Sequence, residues 1–100
     1  MTSEQLFNFT KKSLRITSTS FDDEITTLIE AAKNDISQAT DVAFDLNDPV
    51  QCNAVAVYAQ AYFGFGDDKA VERYQKMLQA IGLRKIKGFV EVISTVGGTP

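Results

Sequence analysis

An all-α fold, a bundle of about four helices with two long central helices and an extended strand-like C-terminal tail, is what this sequence predicts. Three observations predict it. Apolar residues recur at helical spacing in successive stretches up to Ile81. Most of those stretches open on a capping signal and close on glycine or a polar loop. After Gly82 the apolar rhythm changes from helical spacing to alternation.

The first helix is read from about Ser3 to Leu14. Thr2 and Gln5 have the spacing of a capping box, and Leu6, Phe7, Thr10 and Leu14 fall along one side. Arg15 to Ser20, rich in Ser and Thr, reads as a connection. The second helix is predicted to be capped by Ser20, with Asp23 completing a capping box. Phe21, Ile25, Leu28, Ile29, Ala32, Ile36 and Ala39 then form its apolar stripe. Asp22, Asp23 and Glu24 stand in its first turn, where the helix dipole favours negative charge. At about 1.5 Å per residue such a helix is roughly 30 Å long. Its polar side, with Thr26, Lys33, Asn34 and Ser37, is expected to face solvent or a neighbouring subunit.

Asp41 to Asn47 is a loop that carries two large apolar residues, Phe44 and Leu46. Asp48-Pro49 opens the third helix, with Asp as cap, Pro at the first position and Gln51 completing the box. From Val50 to Phe65 this segment is apolar nearly all round, which predicts a central core helix or one with a flank against another copy. Gly64 and Gly66 end it, and Asp67 or Asp68 starts the fourth helix. Val71, Tyr74, Met77, Leu78 and Ile81 form the fourth inner stripe, and Gly82 is read as its stop. Beyond it Val90, Val92 and Val96 alternate with Glu91, Ile93 and Thr95, which predicts a strand in need of a partner, supplied by another chain or by the Val42–Leu46 stretch of its own. The chain is thereby divided into a helical domain, 1–82, and an assembly tail, 83–100.

Composition bounds the function. A chain of 100 residues holds one core, and 44% hydrophobic residues is ordinary for a folded domain. The net charge of −3 argues against a nucleic-acid grip. Residues 1–82 carry seven Lys/Arg against twelve Asp/Glu, whereas the tail carries Arg84, Lys85 and Lys87 against Glu91. Body and tail therefore face different electrostatic tasks, or the body of one copy meets the tail of another. The single Cys52 cannot form an intrachain disulfide, which fits a reducing compartment. No apolar run approaches the roughly 20 residues of a membrane span, and no signal peptide is read, so a cytoplasmic site of synthesis is predicted.

No catalytic site emerges, and the protein is predicted not to be an enzyme and to need no cofactor or metal. There is no histidine to serve as base or ligand, and Cys52 sits on an apolar helix as a structural thiol. Asp22-Asp23-Glu24 is explained by capping and dipole. Gly64-Phe65-Gly66 lacks the Lys-Ser/Thr of a phosphate loop and reads as a helix junction. The Phe7/Phe9 and Tyr58/Tyr62 pairs read as core. Arg84-Lys85-x-Lys87 holds too few charges for firm duplex binding and reads as solvated or partner-facing.

The order of these signals carries a resemblance. Lys11-x-x-Leu14-Arg15-Ile16, a polar gap, Phe21-Asp22-Asp23-Glu24 and Leu28-Ile29-x-Ala31-Ala32 resemble the opening of the head–tail connector (adaptor, or head-completion) proteins of long-tailed double-stranded DNA phages. Asp48-Pro49-Val50-x-x-Asn53-Ala54-Val55-Ala56-x-Tyr58 resembles the second long helix of that family, and the likeness covers residues 6–82. It implies a homo-oligomeric ring of about twelve copies in the virion neck, below the portal protein and above a stopper or tail-completion protein. DNA passes only through its channel, and no membrane is involved. By the same resemblance the tail, Arg84, Lys85, Ile86, Lys87, Phe89, Val90, Val92, Ile93 and Val96, docks on the portal or a neighbouring copy by strand addition. Phe44 and Leu46 form a possible inter-subunit loop. Two other readings stand beside it: a small bacterial helical regulator or adaptor that binds one protein partner through the third helix, and a helical DNA-binding module.

Overall fold

The computed structural model describes the backbone of residues 1–97 and the side chains of residues 1–83. It is all-α, with α1 Ser3–Ser13, α2 Asp22–Thr40, α3 Pro49–Tyr62 and α4 Asp68–Gly97, and no strand occurs among the described residues.

Of the three expected caps, that of Thr2 forms as read and that of Asp48 forms without its box. Thr2 Oγ1 accepts from the Gln5 N–H at 3.1 Å while Gln5 Oε1 accepts from the Thr2 N–H at 2.8 Å, so the capping box closes α1. Asp48 accepts from the Val50 N–H at 3.0 Å with Pro49 in the first turn of α3. Gln51 does not complete a box there. Its Oε1 accepts from the Asp45 N–H at 2.9 Å and its amide donates to Asp48 Oδ2 at 3.1 Å, which ties the preceding loop to the helix start. The third expectation fails. Phe21, not Ser20, is the N-cap residue of α2, and no side chain caps that helix. The serine is engaged locally instead, with the Ser20 N–H donating to Ser18 Oγ at 3.0 Å and the Ser18 hydroxyl donating to Ser20 Oγ at 2.9 Å. This is the turn chemistry by which serine competes with helix capping.

α3 is the axis of the bundle, in contact with α1, α2 and α4. Gln51, Cys52, the run Ala54–Val57, Ala59 and Ala61 are all buried on it. Small side chains let three helices approach one, and this explains why its apolar residues run round the whole helix rather than down a stripe. Leu6 and Thr10 of α1, Ile25, Ile29, Ala32 and Ile36 of α2, and Ala70, Tyr74 and Ile81 of α4 close the core around it. The inner stripes read from the sequence are those the helices bury, except that Phe21 and Ala39, at the two ends of the α2 stripe, are exposed.

α1 ends in a Schellman motif. The Ile16 N–H donates to the Lys11 carbonyl at 3.3 Å and the Arg15 N–H to the Lys12 carbonyl at 2.9 Å, with Arg15 left-handed at φ 59°. α2 ends likewise on a left-handed Asp41, at φ 55°.

Among the described residues one buried side-chain polar atom has no partner. Thr10 is fully buried and its Oγ1 makes no hydrogen bond. An unsatisfied buried hydroxyl costs about 1–3 kcal/mol, and an apolar isostere removes that cost. Thr10→Val is therefore expected to raise stability by about 1 kcal/mol, read as a higher denaturant midpoint with an unchanged slope.

The C-terminal part departs from expectation. The helical backbone of α4 passes through Gly82 and continues to Gly97, so neither the stop at Gly82 nor the extended strand is seen. Gly82 does not have the positive φ that a helix-ending glycine adopts. The tail sequence also fits the helical period: Ile86, Phe89, Val90, Ile93 and Val96 are spaced three, one, three and three apart, as on one helix face.

Candidate functional site

Lys11, Leu14, Ile16, Phe21 and Asp22, from the first stretch of the resemblance, lie at the end of the bundle where α3 finishes, whereas Asp48–Asn53 open α3 at the other end. Lys11 Nζ donates to Asp22 Oδ1 at 2.7 Å, joining the end of α1 to the start of α2 across the Ser/Thr-rich connection. Leu14 and Ile16, on either side of the left-handed Arg15, pack against the core. The Gln60 amide donates to the Ser13 carbonyl at 3.2 Å, and Arg73 donates to Gln60 Oε1 at 3.1 Å, linking α1 through α3 to α4. Phe21 meets Phe63 edge to face at 5.4 Å.

Beyond these contacts projects the turn between α3 and α4. The Gly66 N–H donates to the Phe63 carbonyl at 3.0 Å and the Asp67 N–H to the Ala61 carbonyl at 3.1 Å. The Asp67 carboxylate then accepts from the Lys69 N–H at 3.0 Å, capping α4. Gly64 at φ 62° and Gly66 at φ 79° turn the chain, and a Cβ on Gly66 would stand 2.7 Å from the Ala61 carbonyl oxygen. Phe65, between them, is fully exposed. The sequence reading set Phe65 on the apolar run of α3, but α3 ends at Tyr62. The missed signal is local: an aromatic residue flanked by two glycines is carried by a turn, not buried by a helix.

At the other end, Ala39 of α2 and Gln75, Leu78, Gln79, Gly82 and Leu83 of α4 line a groove. Leu83 is 62% exposed there. A Cβ on Gly82 would meet nothing within 4 Å. Nearby, the loop after α2 folds back on the bundle. Phe44 and Leu46 are half-buried and pack against the core, with Lys33 Nζ 5.7 Å from the Phe44 ring centroid. Much of the loop's apolar surface is thus used within its own chain.

The polar interior holds one pair of note. The Tyr74 hydroxyl, on a residue 1% exposed, donates to the Asp35 carboxylate on α2. Burial first, then that hydrogen bond, pushes the Tyr74 phenol well above its ordinary range. Burial also raises Tyr58, with the Asp35 charge adding to it. Tyr58 leans edge-on to Tyr74 at 5.2 Å and packs on Tyr62 at 4.7 Å. Cys52 is buried, donates to the Leu46 carbonyl at 3.3 Å, and has its thiol pushed up by burial, as befits a structural cysteine.

Among the described residues no cluster of His, Cys, Asp or Glu is arranged to hold a metal, and no helix is long and apolar enough to cross a membrane. The expected docking residues Arg84, Lys85, Ile86, Lys87, Phe89, Val90, Val92, Ile93 and Val96 have side chains outside the described residues; their backbone is helical. The chain matches no family model, no curated protein and no solved structure.

Proposed function

We propose that this chain is a structural connector subunit, which joins a phage capsid to its tail as one copy of a ring below the portal. The observation that favours this reading most is the distribution of exposed apolar side chains. Phe65 and Phe21 stand at one end of the bundle, Leu83 at the other and Phe9 on α1, although the chain already closes a core around α3. A subunit that meets neighbours on more than one side needs apolar surface in more than one place. The resemblance spread over residues 6–82 gives that general role its particular setting.

The acidic body, which holds most of the Asp and Glu, suits a wall past which DNA slides without being held. The rival reading, a regulator that binds one partner through the third helix, is disfavoured by packing. α3 is enclosed by the other three helices and offers only short exposed stretches at its ends and at Asn53.

The purified chain is expected to form closed rings of about twelve copies in negative-stain images and native mass spectra, alone or with a portal ring added. A chain that stays monomeric under both conditions, or forms only a one-to-one complex with a soluble host protein, overturns the proposal.

A further inference from the structure

The exposed turn precedes α4, and the apolar groove lies further along it, between Gln75 and Leu83. Its wall runs from seven to fifteen residues beyond Asp68, roughly 10–22 Å of helix, so Phe65, held on its turn before Asp67, does not reach the groove of its own chain. We infer that Phe65 of one copy inserts into the Ala39–Leu78–Gly82–Leu83 groove of the next copy, giving a head-to-tail contact; this rests on the ring reading and names its subunit contact.

Three features of the chain support a second copy as the occupant. Phe65 is held out on a turn fixed at both sides by backbone hydrogen bonds and left-handed glycines, so little conformational freedom is lost when it docks. Gly82 is unexplained by the fold. Its backbone is helical, it has open space where a Cβ would go, and glycine within a helix costs about 1 kcal/mol relative to alanine. A side chain arriving from outside is what that space admits. Opposite charges also flank the two segments in the sequence. Asp67 and Asp68 directly follow the Phe65 turn, whereas Arg84 and Lys85 directly follow Leu83. A contact between two different faces of the same chain is heterologous, and repeating it generates a ring when the rotation closes.

The test is cross-linking between copies in the full chain. Lys69→Cys places a thiol beside the turn, and Gln79→Cys places one on the groove wall; both native residues are exposed, whereas Cys52 is buried. With a short bis-maleimide, a mixture of the two variants is expected to give covalent dimers, and neither variant alone should. Adding Phe65→Ala to the Lys69→Cys chain should cut that yield at least tenfold. Gly82→Met, which fills the groove, should do the same while leaving the helical signal and the melting temperature unchanged or raised. Dimers from Lys69→Cys alone would mean a two-fold contact and overturn the inference. So would a wild-type chain that sediments as a ring while the mixed variants give no cross-link and the ring tolerates both Phe65→Ala and Gly82→Met; the ring reading would then survive with another contact. A wild-type chain that is monomeric at millimolar concentration, with and without portal rings and without any cross-link, overturns both.

Discussion

Replacing Tyr74 with alanine is expected to unfold most of the isolated chain at room temperature. The side chain is the largest of the fully buried ones and lies among α2, α3 and α4. Truncating a buried aromatic costs about 3–5 kcal/mol, and the variant also loses the hydrogen bond to Asp35. Against a total stability of roughly 5–15 kcal/mol, with a small domain at the lower end, little is left. Urea melts followed by circular dichroism measure this; a loss below about 1 kcal/mol would show that Tyr74 is not a core residue. Tyr74→Phe isolates the hydroxyl. The folded-state phenol titrates above its unfolded value, so its contribution is fully present below about pH 10 and is lost as pH rises toward the folded value. Wild type should therefore lose stability above about pH 10. The phenylalanine variant should be weaker by about 1–2 kcal/mol at neutral pH and should lose less on going alkaline. Tyr58, raised in the same direction, keeps the slope from vanishing.

Gly66→Ala should be nearly as damaging, although it adds a single methyl group to an exposed turn. A non-glycine residue at φ 79° carries about 1–2 kcal/mol of backbone strain. The new Cβ would also press on the Ala61 carbonyl oxygen, which accepts the Asp67 N–H. Relieving that clash means giving up the bond that joins the end of α3 to the start of α4. The combined cost is about 2–4 kcal/mol. Gly64→Ala is the matched control. Its φ of 62° imposes similar strain, but nothing lies within 4 Å of the added atom, so only about 1 kcal/mol should be lost. Equal losses at the two positions in the same melts would show that the contact with Ala61 does not matter.

What the sequence made legible was whatever neighbouring residues decide among themselves. Thr2 with Gln5, and Asp48 with Pro49, act over one helical turn, and both form as read. The all-round apolar character of α3 identified the axis because no polar face was left to look at water. The failures have longer-range causes. Ser20 is a competent cap in isolation, but its hydroxyl oxygen accepts from the Ser18 hydroxyl, and Asp22 is held by Lys11 of α1. Beyond Gly82 the apolar residues satisfy a period of two and a period near 3.6 together, and the backbone takes the helical one, continuing a helix already formed. Phe44 and Leu46 looked free because a loop carries them; the loop folds back and half-buries them. Of the proposed interaction surface, the sequence marked the loop and the tail and passed over Phe65. Hydrophobicity was read there without asking whether the backbone between two glycines could deliver the residue to the core.

That the axis of the bundle is third in chain order matters while the protein is being made. α1 is 11 residues long, too short to hold its helix alone in water, and α1 and α2 each pack more on α3 than on each other. A ribosome that has released only the first 47 residues has therefore made nothing that can stay folded, however well α1 is capped. Ordering begins when Pro49–Tyr62 clears the exit tunnel and gives α1 and α2 a common surface, and α4 then covers the remaining side. Nascent chains cut short before Pro49 should be cleared by proteases. Those that reach Ile81 carry every buried side chain described for the core.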